Sequence, residues 1–465
     1  MSAPGVASLS KLGEVDGRAR RKVLPRRSLG DWSPSLREQD PIAALRAQEG
    51  IRDPELLTLR YGRMGASPWT YYRGAAAVMA ADLAVTPNSG ITVQLCGDAH
   101  ILNFGLWNTP ERRLAFDLRD FDETLPGPFE WDLKRYLASI VVLARENGLR
   151  NRAAREAVRL GYRGYRQWIR KYADWPELDI WYDVVGTDRF ANYAQREDDQ
   201  TTARLLERAD TRTSRGAFDK LTAVKDGRRR IAEKPPYRTH KLTQHAPELE
   251  AAIRRYLGSL PDHVQRVLGH FDLVDVVQQV VGVGSVGMRV FLLLAEERRT
   301  GDPLFMQFKQ AGPSVYEPFL GPSRYPEHGQ RVVNGQRLLQ SASDAFLGWT
   351  DSAVGDGHAY YVAVPGRQSR AQWRGNRGQA RRLRLCVRTR AGPRPRAQRR
   401  CRCDQRLPRQ VRPGRGCVHE VRIRLRRPDR PRPRAIGRGD RGWAYRGDSR
   451  LAVIAGRHGN PVIRS

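Results

Sequence analysis

The chain has 465 residues and 40% of them are apolar, enough for two or three domains with their own cores. No run approaches the roughly 18 to 20 consecutive apolar residues that cross a bilayer, and the polar N-terminus has no apolar signal segment, so a cytoplasmic protein is expected. The formal charge of +32 resembles that of a nucleic-acid binder, but it is unevenly placed. Residues 367–465 hold 31 Arg and 5 acids, a net of +26, whereas the other 366 residues carry 51 basic and 45 acidic side chains, a net of +6.

Residues 1–50 are polar and basic around Arg18 to Arg27, the pattern of a poorly ordered arm. A first structured region is expected over 51–175. Ser67 and Pro68 precede WTYYRGAAAVMAADLAV, whose apolar residues recur at helical spacing and predict a buried helix. Ile91 to Leu95 alternates as a strand that runs into Gly97 and Asp98, and Leu114 to Leu118 alternates again after a turn at Asn108 to Glu111. From Trp131 the pattern is helical to about Ala173, broken near Asn147 and Gly148. Trp131 and Phe129 read as core aromatics.

Residues 176–275 are charged and read as mostly helical, with a loop at Lys234-Pro-Pro. The period changes over 276–362. VVQQVVGVGSVGMRVFLLLAEE followed by PLFMQFKQA predicts three strands, with a glycine turn between the first two and a charged hairpin, Arg298 to Asp302, before the third.

After Tyr361 the chain contains no Phe and no Lys and is dominated by Arg, Pro, Gly and Ala. GC-rich DNA read out of frame produces that mixture. Back-translating Asp404 to Pro413 and starting one nucleotide later permits Ile-Ser-Gly-Tyr-Leu-Gly-Lys-Ser-Asp, an ordinary amphipathic sequence. Residues 363–465 are therefore expected to be an out-of-frame, disordered tail. The alternative is a genuine Arg- and Pro-rich segment that binds nucleic acid through phosphates. Cys96 is the single cysteine before the tail, so no disulfide framework is implied. The string Cys401, Cys403, Cys417 and His419 is discounted as a zinc site because tetrahedral ligands need a fold to hold them.

Chemistry concentrates in VQLCGDAHILNFG (Val93 to Gly105). Asp98 and Asn103 lie five apart in a loop after a strand, as phosphoryl transfer requires: a carboxylate to orient or deprotonate the attacking hydroxyl, and an amide oxygen to hold Mg²⁺. Asp117, Asp120 and Asp122 in FDLRDFDE offer the second metal ligand. Alternation along an extended chain puts Asp120 and Asp122 on one side and Asp117 on the other. His100 is a candidate acid or base beside Asp98; the commoner role of such a histidine is a hydrogen-bonding brace. Arg73 is either a phosphate ligand or a structural arginine paired with a loop acid. Asp132 is expected to cap or brace the loop.

Gly282, Gly284 and Gly287 form a GxGxxG string. A dinucleotide fold would continue as helix, whereas MRVFLLL continues as strand. A glycine turn followed by a strand lysine, Lys309, instead fits a clamp on ATP phosphates. Glu317 and Glu327 are candidate acidic partners for that lysine.

At these residues the chain resembles the kinase-like phosphotransferases, above all the aminoglycoside and choline kinase branch: Gly97-Asp98 to Asn103, then Asp120-Phe121, then Asp132-Leu133 match that branch in order. Cys96 stands where those kinases usually have His. A closer resemblance is to the bacterial family catalogued as domain of unknown function 2252. It is carried by RYGRMGASPWTYYRGAA (Arg60 to Ala76), CGDAHILNFG, FDLRDFDETLPGPFEWDLKR (Phe116 to Arg135), VGVGSVGMRVF and HGQRVVNGQRLLQSASDAFLGW (His328 to Trp349), and covers nearly all of 15 to 362. The resemblance implies an α+β, protein-kinase-like fold and no established substrate. In ordinary kinases the glycine turn precedes the catalytic loop; here it follows. Either the fold is circularly permuted or the glycine turn has another job.

The expected activity is Mg²⁺- and ATP-dependent phosphoryl transfer to a small-molecule or protein acceptor. The alternatives are a pseudokinase that works through partners, and a metal-dependent phosphoester hydrolase built from Asp98, His100 and Asp120. No membrane partner is expected, and a nucleic-acid partner only if the basic tail is genuine.

Overall fold

The computed structural model describes residues 17–194, 214–225, 227–240, 246–351, 359–363 and 368–369. It is a mixed α+β structure. Short helices come first: α1 (Gly17–Val23), α2 (Pro41–Arg46), α3 (Leu57–Met64), α4 (Pro68–Gly74) and α5 (Ala76–Ala84). The stretch before residue 51 does more than the expected loose arm. Asp40 caps α2 by accepting from the Ala43 amide at 2.8 Å, Arg37 pairs with Asp82 at 2.6 Å, and Ala44 and Leu45 are buried against Met64 and Val78. Residues 1–16 lie outside the described residues.

The helix expected after Ser67 starts there, with a capping box between Ser67 and Thr70 and Pro68 in the first turn. It is two helices, because Ala75 leaves helical geometry (φ −110°, ψ 39°). Close packing of Gly74 on Met64, where a β-carbon would sit 2.7 Å from Met64 Cγ, holds the chain at that break.

Strands β1 (Thr92–Leu95), β2 (Phe104–Asn108), β3 (Leu114–Leu118) and β4 (Leu125–Pro128) follow, then α6 (Phe129–Glu146) and α7 (Asn151–Ala173). β1 pairs antiparallel with β4, and β2 pairs with β3. The break between α6 and α7 falls at Asn147 and Gly148, where Gly148 has φ +67°.

Beyond α8 (Glu177–Trp181), α9 (Thr187–Ala194) and α10 (Ser214–Leu221), the region expected to be mostly helical contains a hairpin, β5 (Thr222–Lys225) with β6 (Arg228–Ile231). Its charged residues (TAVK, RRRI) hide the alternation on which the sequence reading depends. β7 (Arg238–Thr239), α11 (Ala246–Gly258) and α12 (Asp262–Leu268) lead into the main sheet.

The three strands expected over 276–362 are present as β8 (Phe271–Gln279), β9 (Val290–Glu297) and β10 (Pro303–Ala311). After α13 (Glu317–Leu320) and α14 (His328–Leu339) come β11 (Gly348–Thr350) and β12 (Ala359–Ala363). The sheet order is β11-β12-β10-β9-β8-β7, with every pairing antiparallel. β9 is buried on both faces. Phe291 and Leu293 pack with Tyr256, Leu260 and Val264 of the α11–α12 layer, while Leu292 and Leu294 pack with Ile231, Val277 and Phe305.

The boundary expected at 363 falls inside this arrangement. Ala363 ends β12, and β13 (Gln368–Ser369) pairs with Trp107 and Leu106 of β2. The rest of the Arg-rich tail lies outside the described residues.

Candidate functional site

One face of α6 builds the loop after β1. Asp132, Arg135 and Ser139 recur at helical spacing and point the same way. Asp132 accepts from the amides of Cys96 at 2.7 Å and Gly97 at 3.0 Å, the bracing role expected for it. Arg135 Nε donates to Asp98 Oδ1 at 2.8 Å, Nη2 donates to the Tyr72 carbonyl at 2.7 Å, and the guanidinium lies 3.9 Å from the Tyr72 ring centroid. Ser139 Oγ accepts from the Ile101 amide at 3.0 Å. Gly97 has φ +96°, and a β-carbon there would stand 2.3 Å from the Glu123 carbonyl oxygen, so no larger residue fits the turn. Asn103 Nδ2 donates to the Asp98 carbonyl at 2.6 Å and closes the loop on itself.

The segment after β3 supplies the second wall. Phe121 is buried among Cys96, Val332 and Tyr361, which turns its neighbours Asp120 and Asp122 toward the loop. Asp117 faces away, where its Oδ2 lies 3.3 Å from the Ser341 amide. The alternation expected of these three acids is the one observed.

The third wall is the glycine turn between β8 and β9. Its carbonyls are tied to the N-terminal helical region: Arg63 Nη1 donates to Gly282 O at 2.7 Å, and Arg52 Nη1 donates to Gly284 O at 2.9 Å and Val286 O at 2.7 Å. Arg52 and Arg63 were not singled out from the sequence, where nothing marks them among many arginines.

These walls enclose a cavity of about 500 Å³. Asp98, His100, Asn103, Asp120, Asp122, Arg73, Gly282 and Gly284 all line it, so two constellations far apart in the chain meet at one space. Gly287, Lys309 and Asp132 stand behind the lining. Lys309, on β10, reaches Asp122 Oδ2 at 3.1 Å and Asp120 Oδ1 at 3.8 Å, and bonds the Tyr361 hydroxyl. Its acidic partner is therefore the Asp120–Asp122 segment. Glu317, a sequence candidate, lies 3.8 Å from both Arg331 Nε and His328 Nδ1.

Burial would raise the Asp98 carboxyl, but Arg135, with His100 and Arg73, more than offsets this and holds it below the usual carboxylate range. His100 is pushed down to about 4 by burial, against the pull of Asp98, so its ring is neutral at pH 7. The ring packs edge-on against Trp69, with centroids 5.9 Å apart, and its Nε2 lies 3.8 Å from Asp98 Oδ2, too far for the hydrogen bond that a brace would make. Burial also lifts Glu123 to about 7, against a 2.7 Å hydrogen bond from the Val315 amide. Arg135 and Glu123 escaped the sequence reading. The signal for Arg135 was its place three residues after Asp132, on the same helix face.

Asn103, Asp120 and Asp122 offer hard oxygen donors to the cavity, the ligand type that Mg²⁺ takes. Among the described residues no group of three or more His, Cys, Asp or Glu side chains is arranged to hold a metal ion, and no helix is long and apolar enough to cross a membrane.

A family model described as an uncharacterized protein conserved in bacteria, DUF2252, matches residues 52–383. The chain belongs to the DUF2252 family. No curated protein and no solved structure matches it. Within the DUF2252 match lie nearly all the cavity residues, Gln48 and Ile51 excepted. The match runs past residue 363, so family-like sequence continues beyond the point where the composition first turns rich in Arg.

Proposed function

We propose that this DUF2252 protein is a kinase-like phosphotransferase whose cavity holds Mg·ATP and an acceptor hydroxyl. One observation carries the reading: the glycine turn meets the Asp98 loop and Asp120 at a single cavity, with Lys309 directly behind Asp120 and Asp122, although the turn and the lysine follow that loop in the chain. The antiparallel run β8-turn-β9-β10, with glycines in the turn and a lysine on the third strand, is the local order of a kinase phosphate clamp. Placed after the catalytic loop, it corresponds to a circular permutation of that fold.

Asp98, held ionised by Arg135, orients the acceptor hydroxyl and takes its proton as the oxygen bonds to the γ-phosphorus and ADP leaves. Asn103 and Asp120 would hold magnesium, whose positive charge would offset that of the phosphates. Amides of the glycine turn cover the phosphates, and the Lys309 ammonium adds positive charge from behind Asp120 and Asp122. Asp122 completes the site by holding Lys309.

The test is a thermal-shift titration with nucleotide, followed by ATP turnover. Mg·ATP is expected to raise the melting temperature, and Asp120→Ala to remove the shift. The absence of any shift at millimolar nucleotide would sink the proposal. A shift without turnover above an Asp98→Asn control would favour a nucleotide-binding pseudokinase. The engagement of Lys309 and the Tyr361 hydroxyl with Asp122 gives that second reading its support.

A further inference from the structure

We propose that the outer face of α7 is a binding strip for single-stranded nucleic acid, separate from the cavity and independent of the reading given to it. The helix is divided by its wheel. Ala154, Ala157, Gly161 and Gly164 are its buried residues, and the close approach of Gly161 to Ile140 and Tyr136 shows that this small-residue face is taken by α6.

Arg152, Arg155, Arg159, Arg163, Arg166 and Arg170 occupy the opposite side. Their steps of three and four residues keep them within an arc of about 80°, along roughly 27 Å of helix axis. All six are exposed, the helix contains one acid, Glu156, and none of the six pairs with a described acidic residue. Like charges three and four apart repel and destabilise a helix. The row therefore costs stability and is not explained by folding.

A length of about 27 Å matches about eight phosphates of one nucleic-acid strand. Aromatic groups lie beside the row. Tyr162, about 20° beyond the edge of the row, and Tyr165 on the same flank are each 37% exposed. Guanidinium groups for phosphates beside ring faces for bases are the two parts of a sequence-tolerant single-strand site. A helix that lies in a membrane must insert its apolar face, and the apolar face of α7 is buried against α6.

The test uses the full chain and fluorescein-labelled oligo(U) and oligo(dT) of about 20 nucleotides, with anisotropy read across a salt series. The 31 Arg of residues 367–465 also attract polyanions, so the comparison is between the parent and Arg155→Gln/Arg159→Gln/Arg163→Gln/Arg166→Gln, which leaves that segment unchanged. Four lost contacts at about 0.7 each should flatten the slope of log affinity against log salt by about 3. Affinity near physiological salt should fall at least tenfold, and the matching quadruple Arg→Lys variant should keep most of it. Ultraviolet cross-links on the unmutated chain should map to Tyr162 and Tyr165, a readout that stands even if the Gln variant fails to fold. Unchanged slope and affinity, or cross-links confined to 367–465, would overturn the proposal. So would a loss of binding to phosphatidylserine vesicles with oligonucleotide binding intact.

Discussion

Replacing Arg135 with Met tests the support of the Asp98 loop most directly. Arg135 is 1% exposed and makes one hydrogen bond to Asp98 and one to the Tyr72 carbonyl. Met fills much of the same volume, so the cavity left behind is small and the loss is mainly electrostatic. Removing one partner of a buried pair costs about 3–5 kcal/mol, and the orphaned Tyr72 carbonyl adds about 1 kcal/mol. The expected loss of about 4–6 kcal/mol is a large share of the roughly 5–15 kcal/mol that holds a domain folded. The loss also depends on pH. In the parent, Asp98 lies below its ordinary 3.8, so its stabilising contribution is present above that pH and fades as pH falls further. Without Arg135, burial dominates and the Asp98 pKa rises above 3.8, so the variant recovers part of its deficit as pH is lowered from 7 toward 4.5. Urea unfolding followed by tryptophan fluorescence at both pH values measures the difference. A deficit under about 1 kcal/mol at pH 7, or one that does not shrink at pH 4.5, would refute the account of Arg135.

Gly97→Ala should cost at least about 3 kcal/mol through strain at φ +96° and a β-carbon 2.3 Å from the Glu123 carbonyl, read as a lower urea midpoint; a near-neutral effect would mean that the turn can relax. Glu123 holds a proton in the folded state between its ordinary 4.5 and about 7, so its contribution makes stability fall as pH rises across that window, by on the order of 3 kcal/mol. Glu123→Gln, which cannot ionise, should flatten that part of the profile, and an unchanged profile would place the titration elsewhere. Sequencing the gene across codons 355 to 390 should reveal the one-nucleotide shift that the composition of the tail predicts. An intact frame would make the Arg-rich segment a genuine part of the protein.

Much of the site was legible because it is local. Strand β1, the loop from Gly97 to Asn103, the alternation of Asp117, Asp120 and Asp122 and the glycine turn between β8 and β9 each depend on the period and turn chemistry of neighbouring residues. Elements whose pattern is masked by charge were lost. The β5–β6 hairpin reads TAVK and RRRI, and α2 rests on one Asp-Pro cap in an otherwise basic stretch.

The sequence by itself determined which residues are candidates for the site and on which side of the chain they stand, since side-chain alternation and the left-handed glycines are properties of adjacent residues. Only the tertiary structure decided what those residues meet. The β9–β10–β12 register brings Lys309 beside Tyr361, and burial of Phe121 turns Asp122 toward them, so the lysine pairs with Asp122 rather than with Glu317. The packing of α6 under the loop selects Arg135 as the partner of Asp98. Both choices follow from the path of the chain through space, because an ion pair forms with whichever opposite charge the fold carries within about 4 Å, however far apart the two lie in sequence.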